Sequence, residues 1–232
     1  MVSCVHYIRK WSSNDELFSE KSIATAEKLA EIKIVPVLVL NSVEEGLKVG
    51  EILVSEGLLA AEITFRTVAA ESVIKAMSEK FPELYIGAGT VLNTDDLKRA
   101  FDAGAKFAVA PGFNPTVVKS AIENSYSFAP GICTPSEAEQ AYELGCKFLK
   151  FFPAEAAGGI SMLKSVIAPY KHLGIRFMPT GGVSEANAND YLSIPEVAAV
   201  GGTWLGKPTD IVEENWDAIR EKVRQAVFNS RK

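Results

Sequence analysis

The sequence is poor in the residues that build disulfide frameworks and metal sites. It has only three cysteines and two histidines in 232 residues. Cys4, Cys133 and Cys146 form neither an even set nor a CxxC pair, which argues against a disulfide framework and favours a reducing compartment. His6 lies in the polar start of the chain and His172 in a connection between two predicted elements, so neither belongs to a set with metal-ligand spacing. We therefore predict a cytoplasmic protein that uses no metal.

The sequence also lacks long apolar runs and a surplus of basic residues. No run approaches the roughly 18 apolar residues of a membrane span, and the start of the chain has no signal-peptide core. The net charge of -5, without a basic cluster, argues against a nucleic-acid surface. No GxGxxG follows the first apolar run, so a dinucleotide cofactor is unsupported. These absences leave an ordinary soluble globular protein with no cofactor and no membrane or nucleic-acid partner.

What the sequence does contain is a repeating alternation of short apolar runs and amphipathic stretches. The runs are near-continuously apolar, as parallel strands are when both faces are covered. The eight predicted strands are residues 34–40, 60–65, 84–88, 106–110, 127–130, 148–152, 176–180 and 197–200. Helix signals lie between them, such as an N-cap at Ser42 and a proline directly after Thr134. The pattern predicts a (β/α)₈ TIM barrel, with an open doubly wound sheet as the structural alternative.

The start of the chain differs from this alternation. Residues 22–32 predict an extra N-terminal helix before the first strand. We expect one catalytic domain over residues 22–232 and a polar N-terminal extension over residues 1–21. The sequence assigns no role to the extension: it could cap a helix, contact another subunit or be disordered.

A lysine interrupts the apolar strand predicted over residues 148–152. Burying an ammonium group without a partner is costly, and burial favours the neutral amine. A neutral lysine amine is the nucleophile that forms a Schiff base with a carbonyl substrate. The alternatives for Lys150 are a position on a strand edge or a side chain that reaches solvent.

A second polar face lies on the predicted strand 60–65. Side chains alternate between the two faces of a strand, so Glu62, Thr64 and Arg66 share one face. We expect this face to point into the barrel, because the outer face packs apolar residues against the helices. Glu62 could then meet Lys150 as a general acid/base, or form a buried structural ion pair with it. Arg66 could bind a carboxylate, or lie at the rim without a ligand.

Glycine pairs follow the last two predicted strands, at residues 181–182 and 201–202, with Thr203 next. Successive glycines let backbone N–H groups cradle an anion, and the loops after strands seven and eight of such barrels often bind phosphate. A helix beginning near Ser184 could add its positive end. Each pair could equally be an ordinary turn.

Four motifs resemble the signatures of the KDPG/KHG aldolases, which act on 2-dehydro-3-deoxy-6-phosphogluconate (KDPG) and 4-hydroxy-2-oxoglutarate (KHG). They are EITFRT at 62–67, GAGTVL at 87–92, KFFPAE at 150–155 and PTGG at 179–182. The resemblance runs from about residue 34 to the last helix. It implies a (β/α)₈ homotrimer, a class I (Schiff-base) reaction without a cofactor, and a phosphorylated keto-acid substrate.

The resemblance also implies roles for individual residues. Lys150 would form the Schiff base, and Glu62 would shuttle protons through a water. The matched substrate-binding residues are Arg66 and Thr90 for the carboxylate, Pro111 and Phe152 for the shape of that pocket, Gly181, Gly182 and Thr203 for the phosphate, and Thr180 for the sugar hydroxyls. Thr203 stands where the family often has serine, which keeps the hydroxyl.

We therefore expect an aldolase that cleaves KDPG to pyruvate and glyceraldehyde 3-phosphate, and KHG to pyruvate and glyoxylate. Three alternatives stay open. They are a 2-dehydro-3-deoxy-6-phosphogalactonate aldolase, a sugar-phosphate isomerase barrel, and a non-catalytic barrel that binds phosphosugars. By resemblance, Thr180 before the glycine pair favours the gluconate substrate over its galactonate epimer.

Overall fold

The apolar runs form a ring of short parallel strands. The computed structural model describes residues 12–230, and Cys4 and His6 lie outside the described residues. Its strands are β1 Ile34–Leu38, β2 Ala60–Thr64, β3 Tyr85–Gly89, β4 Phe107–Val109, β5 Phe128–Ala129, β6 Gly131–Ile132, β7 Phe148–Phe151, β8 Arg176–Pro179 and β9 Val200–Gly202. Every strand pair is parallel, in the orders β5-β4-β3-β2-β1-β9 and β6-β7-β8.

Two junctions close these sheets into a barrel. At one, Pro130 separates β5 from β6, because proline has no N–H to donate to the ladder; its carbonyl still accepts a hydrogen bond from the Lys150 N–H at 3.0 Å. At the other, the bridges Phe177↔Val197 and Thr180↔Gly201 join β8 to the last strand. The two short segments β5 and β6 thus form one barrel strand. The predicted eight-stranded barrel is confirmed, and the open sheet is excluded.

Helices surround the strands, and several of them begin at a residue whose side chain caps the helix. Ser42 accepts a hydrogen bond from the Glu45 N–H at 3.1 Å, and Thr134 caps the helix that starts at Pro135. The helices are α1 Ser13–Ile32, α2 Val43–Glu56, α3 Ala70–Lys80, α4 Thr94–Asp102, α5 Pro115–Glu123, α6 Pro135–Glu143, α7 Gly159–Ile167, α8 Ala188–Leu192, α9 Pro208–Val212 and α10 Trp216–Ser230, with a 3₁₀ helix at Ala168–Leu173.

The extra N-terminal helix exists, but its predicted start was wrong. Helix α1 begins at Ser13 instead of residue 22, because Ser12 and Asp15 form a capping box. Phe18 is fully buried in the core between strands and helices. The boundary expected at residue 21 therefore falls inside a helix, and the preceding turns pack on the barrel.

Helix α1 closes the amino end of the barrel. Its Ala26 and Leu29 pack with Phe148 and Met178 of the barrel interior. The Ser22 hydroxyl accepts a hydrogen bond from the Phe148 N–H at 2.9 Å. A ligand can therefore reach the interior only from the carboxyl ends of the strands.

Strand alternation sorts side chains between two apolar cores. Ile63 and Leu149 point outward and belong to the large cluster between strands and helices. Ala60 and Phe148 point into the barrel. Burial of a Leu, Ile or Phe side chain contributes about 1.5–3 kcal/mol, so both strands are strongly held in this register. Glu62 has the parity of Ala60, which directs it into the barrel.

Candidate active site

A cavity of about 280 Å³ opens at the carboxyl ends of the strands. The structure brings all ten site residues predicted from the sequence to its walls. The lining consists of Val37, Glu62, Arg66, Thr90, Pro111, Lys150, Phe152, Thr180, Gly181, Gly182, Val183, Gly202 and Thr203. Of these, Val37 and Val183 were not predicted as site residues, and Gly202 was considered only as part of the glycine pair after the last strand. The inward parity of Val37 on β1 was a signal that could have found it.

An ion pair lies at the bottom of this cavity. The Lys150 Nζ on β7 donates to both carboxylate oxygens of Glu62 on β2, at 2.9 and 3.2 Å. The exposed fractions of the two side chains are 6% and 1%. Direct contact lets Glu62 accept a proton from the ammonium group, which frees the amine for nucleophilic attack.

Two glycines of β3 make room for side chains inside the barrel, Gly89 for Glu62 and Gly87 for Phe107. A Cβ on Gly89 would lie 2.1 Å from a carboxylate oxygen of Glu62, and a Cβ on Gly87 would lie 2.3 Å from the Phe107 ring. Any larger residue at position 89 would displace the carboxylate. The sequence signal for this requirement is the GAGTVL motif, in which both glycines occur.

The rim above β2 and β3 supplies polar groups of a different kind. Arg66 follows β2, is exposed, and forms no ion pair with a carboxylate of residues 12–230. Thr90 follows β3 with φ +57°, a left-handed conformation that is uncommon for residues other than glycine. The Lys150 Nζ lies 5.9 Å from the centre of the Phe152 ring. A planar guanidinium without a protein partner at this position can bind a carboxylate.

The opposite rim is formed by the turn after β8. Gly181 and Gly182 have φ values of +96° and +81°, which favour glycine. Within the described residues, the N–H groups of Gly181, Gly182 and Thr203 donate no hydrogen bond to another protein group. Successive free amides of this kind can bind an anion.

The predicted helix start near Ser184 was wrong. The Ser184 N–H donates to the Asn187 side chain at 2.8 Å, which forms a turn in competition with a helix. Helix α8 begins only at Ala188 and has five residues. We therefore assign it no part in binding an anion.

The two described cysteines lie away from the cavity lining. Complete burial raises the pKa of the Cys146 thiol, which keeps it protonated. Among residues 12–230 no group of three or more His, Cys, Asp or Glu is arranged to hold a metal ion. In the same part of the chain, none of the helices combines the length and apolar character that a membrane crossing requires.

The fold and the cavity define a barrel that holds a lysine amine beside a carboxylate in an open pocket, the groups that a Schiff-base enzyme requires. Residues 25–222 match the family model for KDPG and KHG aldolase. The chain is 42% identical over 201 residues to 2-dehydro-3-deoxy-phosphogluconate aldolase of Haemophilus influenzae, covering 87% of this chain and 94% of the relative. The chain thus belongs to the KDPG and KHG aldolase family, which confirms the resemblance seen in its motifs.

Solved structures agree with this assignment. KDPG aldolase from Legionella pneumophila, with pyruvate captured as a covalent carbinolamine intermediate, matches with a TM-score of 0.80 and 32% identity, covering 93% of this chain and 99% of that one. The Zymomonas mobilis 2-keto-3-deoxy-6-phosphogluconate aldolase with 3-phosphoglycerate matches with a TM-score of 0.78 and 34% identity, covering 87% and 94%. Members of the family are carbon–carbon lyases.

Proposed function

We propose that this chain is a class I aldolase that cleaves KDPG to pyruvate and glyceraldehyde 3-phosphate, with KHG as a second substrate that yields pyruvate and glyoxylate. The observation that carries the proposal is the buried amine of Lys150, 2.9 Å from the Glu62 carboxylate in an open cavity. A purely structural ion pair would gain nothing from facing a cavity. The names of the relatives supply the substrate class.

The first half of the reaction forms the Schiff base. Glu62 accepts the ammonium proton, and the Lys150 amine attacks the C2 ketone of the substrate. The resulting carbinolamine loses water and becomes an iminium ion. The carbinolamine held by the Legionella relative supports this step.

The second half breaks the carbon–carbon bond. Glu62, acting through a water, accepts the proton of the C4 hydroxyl, and the electrons of the C3–C4 bond move to the iminium nitrogen. Glyceraldehyde 3-phosphate leaves with the C4 carbonyl, and an enamine remains on Lys150. The enamine takes a proton at C3, and hydrolysis of the new iminium ion releases pyruvate and the free lysine.

The two rims of the cavity bind the two charged ends of the substrate. Arg66 and Thr90 bind the carboxylate beside the reacting ketone, while Pro111 and Phe152 shape that pocket. At the other rim the phosphate accepts hydrogen bonds from the free amides. The residues assigned there are Gly181, Gly182 and Thr203, with Thr180 at the sugar hydroxyls.

We further propose a cytoplasmic homotrimer built from one catalytic domain, which comprises residues 22–232 together with the earlier turns of α1 that pack on it. Val68 and Leu92 support an interface, because these apolar side chains, on the loops after the adjacent strands β2 and β3, are 99% and 54% exposed. Light scattering should give about three times the chain mass of 25.1 kDa. A particle of 25.1 kDa would contradict the trimer.

A coupled assay for pyruvate tests the activity. With KDPG we expect steady pyruvate release, faster than with the galactonate epimer, and with KHG we expect pyruvate release as well. Turnover of only the epimer would point to the galactonate enzyme. Absence of pyruvate from every keto acid would leave an isomerase or a binding protein and contradict the proposal.

A further inference from the structure

The segment that follows β7, the strand that carries Lys150, is hydrogen-bonded to the turn at Gly181 and Gly182, which we call the glycine turn. The Thr180 N–H donates to the Phe151 carbonyl at 2.9 Å, and the Ala154 N–H donates to the Thr180 carbonyl at 2.8 Å. The Glu155 N–H then donates to the Gly181 carbonyl at 2.9 Å. These hydrogen bonds direct the carbonyls of the turn toward the β7–α7 connection, which leaves the amide of Gly182 and its neighbours available to the cavity.

The Glu155 side chain continues this contact beneath the turn. A Cβ added to Gly182 would lie 2.5 Å from the Glu155 Cβ, so the glycine backbone rests directly on that side chain. The Glu155 carboxylate accepts a short hydrogen bond from the Tyr191 hydroxyl. Tyr191 is fully buried and lies on α8, the next element after the glycine turn.

The hydroxyl of Tyr191 is a permanent donor to this carboxylate. Burial, and then the adjacent carboxylate, raise the pKa of Tyr191 well above its usual range, so the phenol keeps its proton at neutral pH. A hydrogen bond to a charged acceptor is about twice as strong as one between neutral groups. The bond therefore joins α8 to the β7–α7 connection beneath the turn.

We propose that Glu155 and Tyr191 form a positioning pair that holds the glycine turn in its anion-binding conformation, and thereby sets the affinity for phosphorylated substrates. Neither side chain lines the cavity, so the pair acts through Gly181 and Gly182. This inference rests on the proposed function, since it assigns the substrate phosphate to that turn. It adds a specificity determinant that contacts no substrate.

The test compares Tyr191→Phe with a matched control. Removal of the hydroxyl should raise KM for KDPG about tenfold, the loss expected for one hydrogen bond to a charged group. The KM for KHG, which has no phosphate, and the kcat for both substrates should change less than about twofold. Tyr170→Phe is the control, because the Tyr170 hydroxyl donates to Glu139 at 2.8 Å on a surface away from the cavity lining.

A second variant separates positioning from simple packing. Glu155→Gln keeps an oxygen acceptor for Tyr191, so its KM for KDPG should lie between those of the wild type and Glu155→Ala. An equal rise in KM for both substrates, or no rise for KDPG, would overturn the inference. A KM for KDPG in Glu155→Ala that equals the wild-type value would overturn it as well.

Inorganic phosphate provides a readout without turnover. Calorimetry should show about tenfold weaker phosphate binding in Tyr191→Phe than in the wild type and in Tyr170→Phe. Unchanged affinity in Tyr191→Phe contradicts the positioning role whatever the enzyme does with pyruvate. Failure of the wild type to form a pyruvate adduct contradicts only the proposed reaction, so the two ideas fail separately.

Discussion

The two ends of the barrel bury polar side chains in different surroundings. At the amino end the Thr25 hydroxyl lies 2.7 Å from the Ser127 hydroxyl and 3.0 Å from the Tyr85 hydroxyl, beneath α1, so these groups satisfy one another. At the carboxyl end the Lys150–Glu62 pair faces an open cavity. We infer from this comparison that buried polar groups stabilise the fold where a helix closes the barrel, and we expect them to take part in catalysis where the barrel stays open.

The difference in charge follows the same division. In the network beneath α1 the buried polar side chains are neutral hydroxyls, and burial of Tyr85 raises its pKa, which keeps that phenol uncharged. The carboxyl end combines a buried cation and a buried anion with an exposed guanidinium at Arg66. We therefore expect substitutions at the carboxyl end to change catalysis with little effect on folding, and substitutions at the amino end to do the reverse.

The largest effect should come from Lys150→Arg. Arginine keeps a positive charge near Glu62 but provides no amine that can form a Schiff base. Turnover should fall on the order of 10⁴-fold or more, measured by pyruvate release, while the melting temperature stays near that of the wild type. Turnover close to that of the wild type would contradict the proposed difference between the two barrel ends, because the reaction would then proceed without the lysine nucleophile.

A smaller loss should follow Glu62→Gln. The amide keeps the size of the side chain but cannot accept the proton from the amine or from the C4 hydroxyl. We expect kcat to fall about 10²- to 10⁴-fold, the usual contribution of a general acid/base. The kcat values of the wild type and of Glu62→Gln are measured with the same substrate. A ratio near one would mean that the ion pair has only a structural role.

Leu29→Ala tests the amino end. Leu29 is fully buried between α1 and the barrel interior, so truncation should lower the free energy of unfolding by about 2–5 kcal/mol. Urea unfolding measures the loss. Below the transition, kcat should match that of the wild type, and a kcat that falls with stability would show that the two ends are not separable.

Thr25→Val should have the smallest effect. Valine keeps the shape of threonine but removes the hydroxyl shared by Ser127 and Tyr85. Loss of this buried partner should lower the free energy of unfolding by about 1–3 kcal/mol, again without a change in kcat. An unchanged urea midpoint would mean that the hydroxyl network adds no stability to the amino end.

Local pattern predicted much of this molecule. The eight apolar runs predict the barrel, and the period of two places Glu62 and Lys150 on inward faces. The capping pair Ser12 and Asp15 was also visible as a local signal for the true start of α1. Such features depend on residues a few positions apart.

Other features depend on residues that are distant in the chain. The contact between Tyr191 and Glu155 spans 36 positions, and no local pattern connects them. The approach of Gly89 to Glu62 is likewise set by neighbouring strands. The late start of α8 arose because the side chain of Asn187 captured the Ser184 amide, a choice that helix propensity alone does not decide.

The most direct test of the central claim is to trap the Schiff base. The protein is incubated with pyruvate and sodium borohydride, digested, and mapped by mass spectrometry beside the Lys150→Arg variant. The account predicts a single reduced pyruvate adduct on Lys150 and none in the variant. No adduct in the wild type, or adducts scattered over surface lysines and equal in both proteins, would contradict it.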